Sequence, residues 1–161
     1  MNNKIIAFAI IICMLLSAVV VYADDSLTEL AANQYAESSS ELSENTAANM
    51  ANDGINDNAD YTAWRSAEND TRPYWQTDLV TAYKISKIEI EARKGGTAEE
   101  RSNFRVLASN DSDFGEFEVL GECGEDFGAD LVWTTDVKAK ERYQYVRVEK
   151  TSDGALSIGE I

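Results

Sequence analysis

The side chains best able to do chemistry in this 161-residue chain are arginines and carboxylates. Arg65, Arg72, Arg93, Lys94 and Arg101 are five of the 13 Lys and Arg that remain when Lys4 is set aside from the total of 14. They flank two polar stretches, Arg65–Tyr74 and Arg93–Asn103, which neighbouring strands would bring to one end of a β-sandwich. A guanidinium offers forked N–H donors that suit vicinal hydroxyls, and an aromatic face can stack a ring. Tyr74 is either that platform or core beside Trp75. Arg101 and Arg105 are either ligand contacts or partners of nearby acids, the latter worth about 0–1 kcal/mol each. Carboxylates also come in pairs, at Glu89/Glu91, Glu99/Glu100 and Glu125/Asp126. With 29 Asp and Glu in the chain, such pairs arise by chance, and a solvated face is the better reading.

The residues that are missing exclude much. There is no histidine, so the commonest general base and the commonest transition-metal ligand are absent. Ser–His–Asp and Cys–His catalysis and His-ligated zinc are excluded. No glycine-rich phosphate loop or zinc spacing occurs. A glycosidase needs two carboxylates across a cleft, and the sequence marks no such pair. The chain therefore reads as a non-enzyme. Its 14 basic and 29 acidic residues leave a formal charge of −15, which argues against nucleic acid and against an anionic membrane surface.

The N-terminus has a targeting pattern. Lys4 precedes the apolar run Ile5–Val21, whose only polar residue is Ser17. Val21-Tyr22-Ala23 has the small-x-small form of a cleavage site, and Asp24-Asp25 follows. Residues 1–23 read as a secretory signal peptide, which implies a secreted or extracellular product. The competing reading is an uncleaved anchor, since an apolar run of about 17 residues is the lower limit for a spanning helix. Removing 23 of 161 residues leaves 138, and losing Lys4 takes the charge from −15 to −16. Cys13 leaves with the signal, so Cys123 has no partner for an internal disulfide and the domain depends on its core. Cys123 reads as a packed or loop thiol, with Glu122 and Glu125 raising its pKa.

The elements that must position these groups are short strands. Ile88, Ile90 and Ala92 alternate with Glu89 and Glu91 across Lys84–Ala92, the period-2 pattern of a half-buried strand. Tyr74–Leu79, Asn103–Ser109, Phe117–Leu120, Leu131–Val137, Tyr143–Lys150 and Ala155–Ile161 are further strands, separated by turn clusters such as Gly95-Gly96 and Ser152-Asp153-Gly154. Leu27–Gln34 is room for one short helix at most. The count predicts an all-β sandwich or barrel.

In this order the segments resemble a discoidin domain, also called the coagulation-factor type C domain, of the galactose-binding-like group that contains many carbohydrate-binding modules. The resemblance covers residues 27–161. It rests on Leu30-Ala31-Ala32-Asn33 with Ser38-Ser39 as an opening strand, Asp53-Gly54 followed by Thr62-Ala63-Trp64-Arg65-Ser66, and Tyr74-Trp75-Gln76-Thr77-Asp78-Leu79. It implies a jelly-roll sandwich of about eight antiparallel strands with a ligand site in loops at one end. It implies that Trp64 and Trp75 are structural. It also implies one structural Ca²⁺ held by Asp53, Thr62 and Glu160 with the carbonyls of Met50, Ile55 and Gly159, with Asn56 and Asp57 as spare ligands. An ordinary Asn/Asp/Gly turn is the alternative for that loop. Arg93 matches a sugar-binding Arg of galactose-binding relatives. Their downstream Asn has no clean match, and Glu99, Glu100 and Asn103 are the candidates to replace it. The loop Ile55–Tyr61 is long, which resembles the fucose-binding F-type lectins, yet the His and Arg-x-Asp of those lectins are missing. The last strand is short against relatives, as in a fragment of a larger modular protein.

The expected function is thus a non-catalytic carbohydrate-binding module, with Arg65, Arg72, Tyr74, Arg93, Glu100, Arg101 and Asn103 as ligand contacts. The alternatives are a protein-adhesion module, or an accessory domain of a larger extracellular enzyme.

Overall fold

The computed structural model describes residues 28–57 and 62–161. The predicted signal peptide at 1–23 and part of the long loop lie outside the described residues. Among the described residues nine strands form: β1 Tyr35–Ser38, β2 Trp64–Arg65, β3 Tyr74–Tyr83, β4 Lys87–Glu91, β5 Phe104–Ser109, β6 Glu118–Cys123, β7 Val132–Asp136, β8 Tyr143–Lys150 and β9 Ser157–Ile158. They pair antiparallel. One sheet has the order β1-β3-β8-β5-β6, and β2–β9 and β4–β7 form two-stranded sheets. A bridge from Glu91 to Glu160 ties β4 to the end of the chain. The result is an all-β sandwich, as the alternation predicts.

The core forms where apolar alternation from the strands meets. Ile88 and Ile90 turn inward from β4, while Phe104, Val106 and Ala108 do so from β5, and Val146 and Val148 from β8. Trp64 and Trp75 are completely buried. Each indole N–H finds a carbonyl, Ser40 at 3.1 Å for Trp64 and Ala48 at 2.8 Å for Trp75, so neither ring is left with an unpaired donor. Both are structural. Trp133 sits at the core margin, edge-on to Phe104 with centroids 5.2 Å apart. Gly121 lies beneath it, where a Cβ would come within 2.9 Å of the ring. Cys123 is buried and its thiol donates to the Glu125 carbonyl at 2.9 Å. Burial first, then the Asp126 and Glu125 charges, push its pKa up.

The expected opening strand is corrected, while the bound of one short helix at most is kept. Within 28–34 there is no helix, and the opening strand is Tyr35–Ser38 rather than Leu30–Asn33 with Ser38-Ser39. Leu30–Asn33 belongs to a turn, with Asn33 in the left-handed region at φ 56°. Asn52 holds it from a distance: its side-chain amide donates to the carbonyls of Ala31 at 2.7 Å and Gln34 at 3.0 Å. The C-terminal strand is likewise shorter than Ala155–Ile161, being Ser157–Ile158 plus the Glu160 bridge.

Candidate functional site

Three loops converge at one end of the sandwich. Ser66 and Leu156 are joined twice, by backbone N–H to carbonyl at 3.0 Å and by Leu156 N–H to the Ser66 hydroxyl at 3.1 Å. Thr151 N–H donates to the Asn103 carbonyl at 2.7 Å. Lys150, at the end of β8, continues the inward alternation of Val146 and Val148 and is buried. Its ammonium donates to the carbonyls of Ser102 at 2.8 Å and of Glu99. Burial lowers its pKa, opposed by the Glu99 and Glu100 charges.

Glu100 is the hub of this end. It lies in a single 3₁₀ turn, Glu99–Arg101, and its side chain is 7% exposed. One carboxylate oxygen accepts from Arg65 Nε at 3.2 Å and faces Arg65 Nη2 at 3.1 Å. The other accepts from Arg93 Nη2 at 3.1 Å and from the Ser157 hydroxyl at 3.2 Å. The structure thus brings Arg65, Arg93 and Glu100 together from two predicted loops. Arg101 stands beside them and is engaged by the Asp126 carboxylate and by the Gly96 carbonyl, the latter at 2.6 Å. Of its two readings, the ion pair is the one formed. Arg105 is likewise paired, with Glu149.

The side chains of the other predicted contacts stand apart from the Glu100 hub. Asn103 is exposed and its side-chain amide donates only to the neighbouring Ser102 hydroxyl, at 3.3 Å, among the described residues. Arg72 and Tyr74 line a separate groove with Arg105 and Glu149. Tyr74 is not core: it is half-buried, and successive strand residues face opposite sides, so it points away from Trp75. The Arg147 guanidinium lies 4.3 Å from the Tyr74 ring centre and 4.1 Å from that of Phe114. Sequence reasoning missed this stack and missed Lys150. The period of β8 was enough to place Lys150 inward; nothing local marks the stack, because Phe114 comes from a turn.

The predicted cation loop has a different character. Asp53 accepts from Ile55 N–H at 2.9 Å, an Asx turn, and Glu160 accepts from Gly54 N–H at 3.2 Å. Asn56 donates to Glu91 at 2.6 Å, and the Thr62 hydroxyl donates to Asp57 at 3.1 Å. Among the described residues, the second oxygen of Glu160 and the amide oxygen of Asn56 are buried without a hydrogen-bond donor. Burial, with Asp53, Glu29 and Glu91 as like charges, pushes the Glu160 carboxyl up to about 7. Among the described residues no three His, Cys, Asp or Glu converge as a metal cluster.

The sequence matches the family model of the F5/8 type C domain over residues 35–161. Solved structures share the fold. The lectin domain of lectinolysin, complexed with Lewis B antigen, superposes with a TM-score of 0.69 at 22% identity, over 83% of this chain and 94% of that one. A Streptococcus pneumoniae fucose binding module gives 0.68 at 20% identity, over 83% and 95%. The family 32 carbohydrate-binding module of C. perfringens NanJ, in complex with galactose, gives 0.64 at 23% identity, over 79% and 90%. No curated protein matches the chain. With the matched residues running from β1 to the last residue, the chain belongs to the F5/8 type C domain family.

Proposed function

We propose that this chain is an exported, non-catalytic module that binds glycans at the loop end of its sandwich. The observation that carries the reading is the Glu100 hub. One buried carboxylate fixes the planes of Arg65 and Arg93, whose side chains are 18% and 14% exposed. A guanidinium carries its N–H donors in one rigid plane, so a carboxylate that holds both groups sets the directions of their donors in advance. Pre-set donors lose little rotamer freedom when hydroxyls dock on them. Relatives of this fold solved with galactose or with Lewis B antigen support the same ligand class. Such a site buries few ligand atoms, so affinity is expected on the order of 10⁻⁴ to 10⁻³ M. The test is a glycan array with the mature domain, then titration calorimetry of wild type and Arg93→Ala with the best hit. Loss of binding in a folded variant supports the reading. Unchanged affinity moves the site, and binding to no glycan passes the lead to adhesion to protein.

The reading includes one structural Ca²⁺ between the Asp53 loop and the end of the chain. What supports it is the pair of buried oxygens on Glu160 and Asn56 that find no donor among the described residues and sit among carboxylates that repel one another. Calcium takes six to eight oxygen ligands and mixes carboxylates with carbonyls. Asp53, Glu160, Thr62 and the Asn56 amide supply oxygens of that kind, with the carbonyls of Met50, Ile55 and Gly159 to complete a shell. When bound, the ion supplies positive charge that ties the loop to the last strand.

A further inference from the structure

Beside the Glu100 hub, at the end of the five-stranded sheet, lies a groove of about 600 Å³ that the loop-end site does not use. Its floor is a row set by strand register: Tyr74 on β3 opposite Glu149 on β8, and Glu149 opposite Arg105 on β5. Arg72, just before β3, and Ser152 and Asp153, just after β8, also line it. The volume falls within the range of about 300–1,000 Å³ of small-molecule sites.

The lining decides what fits. Arg105 gives its Nε to Glu149 at 2.7 Å and its Nη2 at 2.5 Å, which leaves Nη1 without a carboxylate partner among the described residues. Arg72 is exposed and makes no ion pair among the described residues. Glu149 and Asp153 add acceptors, and Ser152 adds a hydroxyl. An anionic ligand would meet both carboxylates, and a cationic one would meet both guanidiniums. An apolar ligand would strip water from all four without pairing them. Tyr74 offers a ring whose orientation is fixed by Arg147 stacked 4.3 Å from its centre. Donors and acceptors around an aromatic face suit a neutral sugar ring, whose hydroxyls do both and whose C–H face stacks. We propose that this groove is a second carbohydrate subsite, for a neutral pyranose, separate from the Arg65–Glu100–Arg93 site.

The test is ¹⁵N-resolved NMR titration of the mature domain with methyl β-D-galactopyranoside and with methyl β-D-glucopyranoside, and with mannitol as a polyol that lacks a ring. Saturable shifts are expected at the amides of Arg72, Tyr74, Thr151 and Ser152 with at least one pyranoside. They should persist in Arg93→Ala and weaken about tenfold or more in Tyr74→Ala and in Arg72→Ala, a loss of about 1.4 kcal/mol. Arg72→Ala is at an exposed position and decides alone should Tyr74→Ala unfold. No saturable shift there with either pyranoside overturns the subsite, as do equal shifts with mannitol. Shifts that vanish in Arg93→Ala reduce the two sites to one. Amides of Gly96–Arg101 report the loop-end site in the same spectra, so failure of either site is seen separately.

Discussion

Lys150 closes the end of β8 onto Ser102, donating its buried ammonium to the Ser102 carbonyl at 2.8 Å while reaching the Glu99 carbonyl as well. This lysine fastens the 3₁₀ turn that carries Glu100, and through Glu100 it sets Arg65 and Arg93. Neutral, shorter-range packing cannot replace it, because both carbonyls lose their donor together.

Lys150→Met is expected to lower stability by about 1–3 kcal/mol, the cost of leaving buried acceptors unpaired. Amides from Glu100 to Asn103 should exchange faster with deuterium, while those of β3 keep their rates. The pH dependence has a definite sign. Burial lowers the Lys150 pKa in the folded chain, so the unfolded chain binds the extra proton between the folded and unfolded values. Stability from this residue therefore rises with pH across that alkaline window. Denaturant midpoints of wild type and Lys150→Met, measured in parallel against pH, should diverge there; parallel curves would remove the lysine from the balance.

Glu100→Ala should be more damaging. It leaves two half-buried guanidiniums beside each other without their shared carboxylate, and breaking a buried pair by removing one partner costs about 3–5 kcal/mol. Exposure of the arginines puts this case at about 3 kcal/mol. Glu100→Gln keeps the shape and one acceptor oxygen but turns an NH2 donor toward the partners of the other, so it should fall between wild type and Ala. Chemical denaturation orders the three. A Gln variant as unstable as Ala would mean charge, not shape, does the holding.

How far the sequence reveals this arrangement depends on the range of the interaction. Period-2 alternation made Tyr143–Lys150 legible to the residue, because side chains that alternate across a sheet leave their mark within a few positions. The turn at Leu30–Asn33 was not legible, since the group that holds it is Asn52, 21 positions away from Ala31. The loop end shows the same division. Clustered arginines on two polar stretches pointed to one end of the sandwich, and Arg65 and Arg93 do meet there. That Glu100 would hold Arg65 and Arg93, while Arg72 and Tyr74 face another groove, depends on where β2, β3 and the last strand meet, which no local pattern encodes.

Val80 carries backbone strain that a substitution should release. It is exposed, lies where the β3–β8 register shifts, and has φ 69°, the left-handed region that a β-branched residue avoids. Its N–H is held by the Asp78 carboxylate at 2.7 Å. The left-handed conformation costs an L-residue roughly 1–2 kcal/mol, partly offset in glycine by its freer unfolded chain. Val80→Gly should therefore raise stability by about 0.5–1 kcal/mol. Thermal unfolding would show an increased midpoint; a decrease would mean the side chain is held by contacts that outweigh its backbone.

The proposed calcium site predicts an inversion between two conditions. Without a cation, Glu160 is half-buried near Asp53, Glu29 and Glu91, and its carboxylate is disfavoured. Glu160→Gln removes that charge and keeps the acceptor from Gly54 N–H, so in EDTA the variant should be at least as stable as wild type. With calcium the order should reverse. A ligand that binds only the folded state adds about 2.7 kcal/mol at a hundred times its dissociation constant, and the variant loses a carboxylate ligand and most of that gain. Asp53→Ala should lose it too, and its Asx turn besides. Melting curves of the three proteins in EDTA and in excess calcium decide the matter. If calcium shifts none of them, the buried oxygens of Glu160 and Asn56 are met by water, and the loop is held by its own turn.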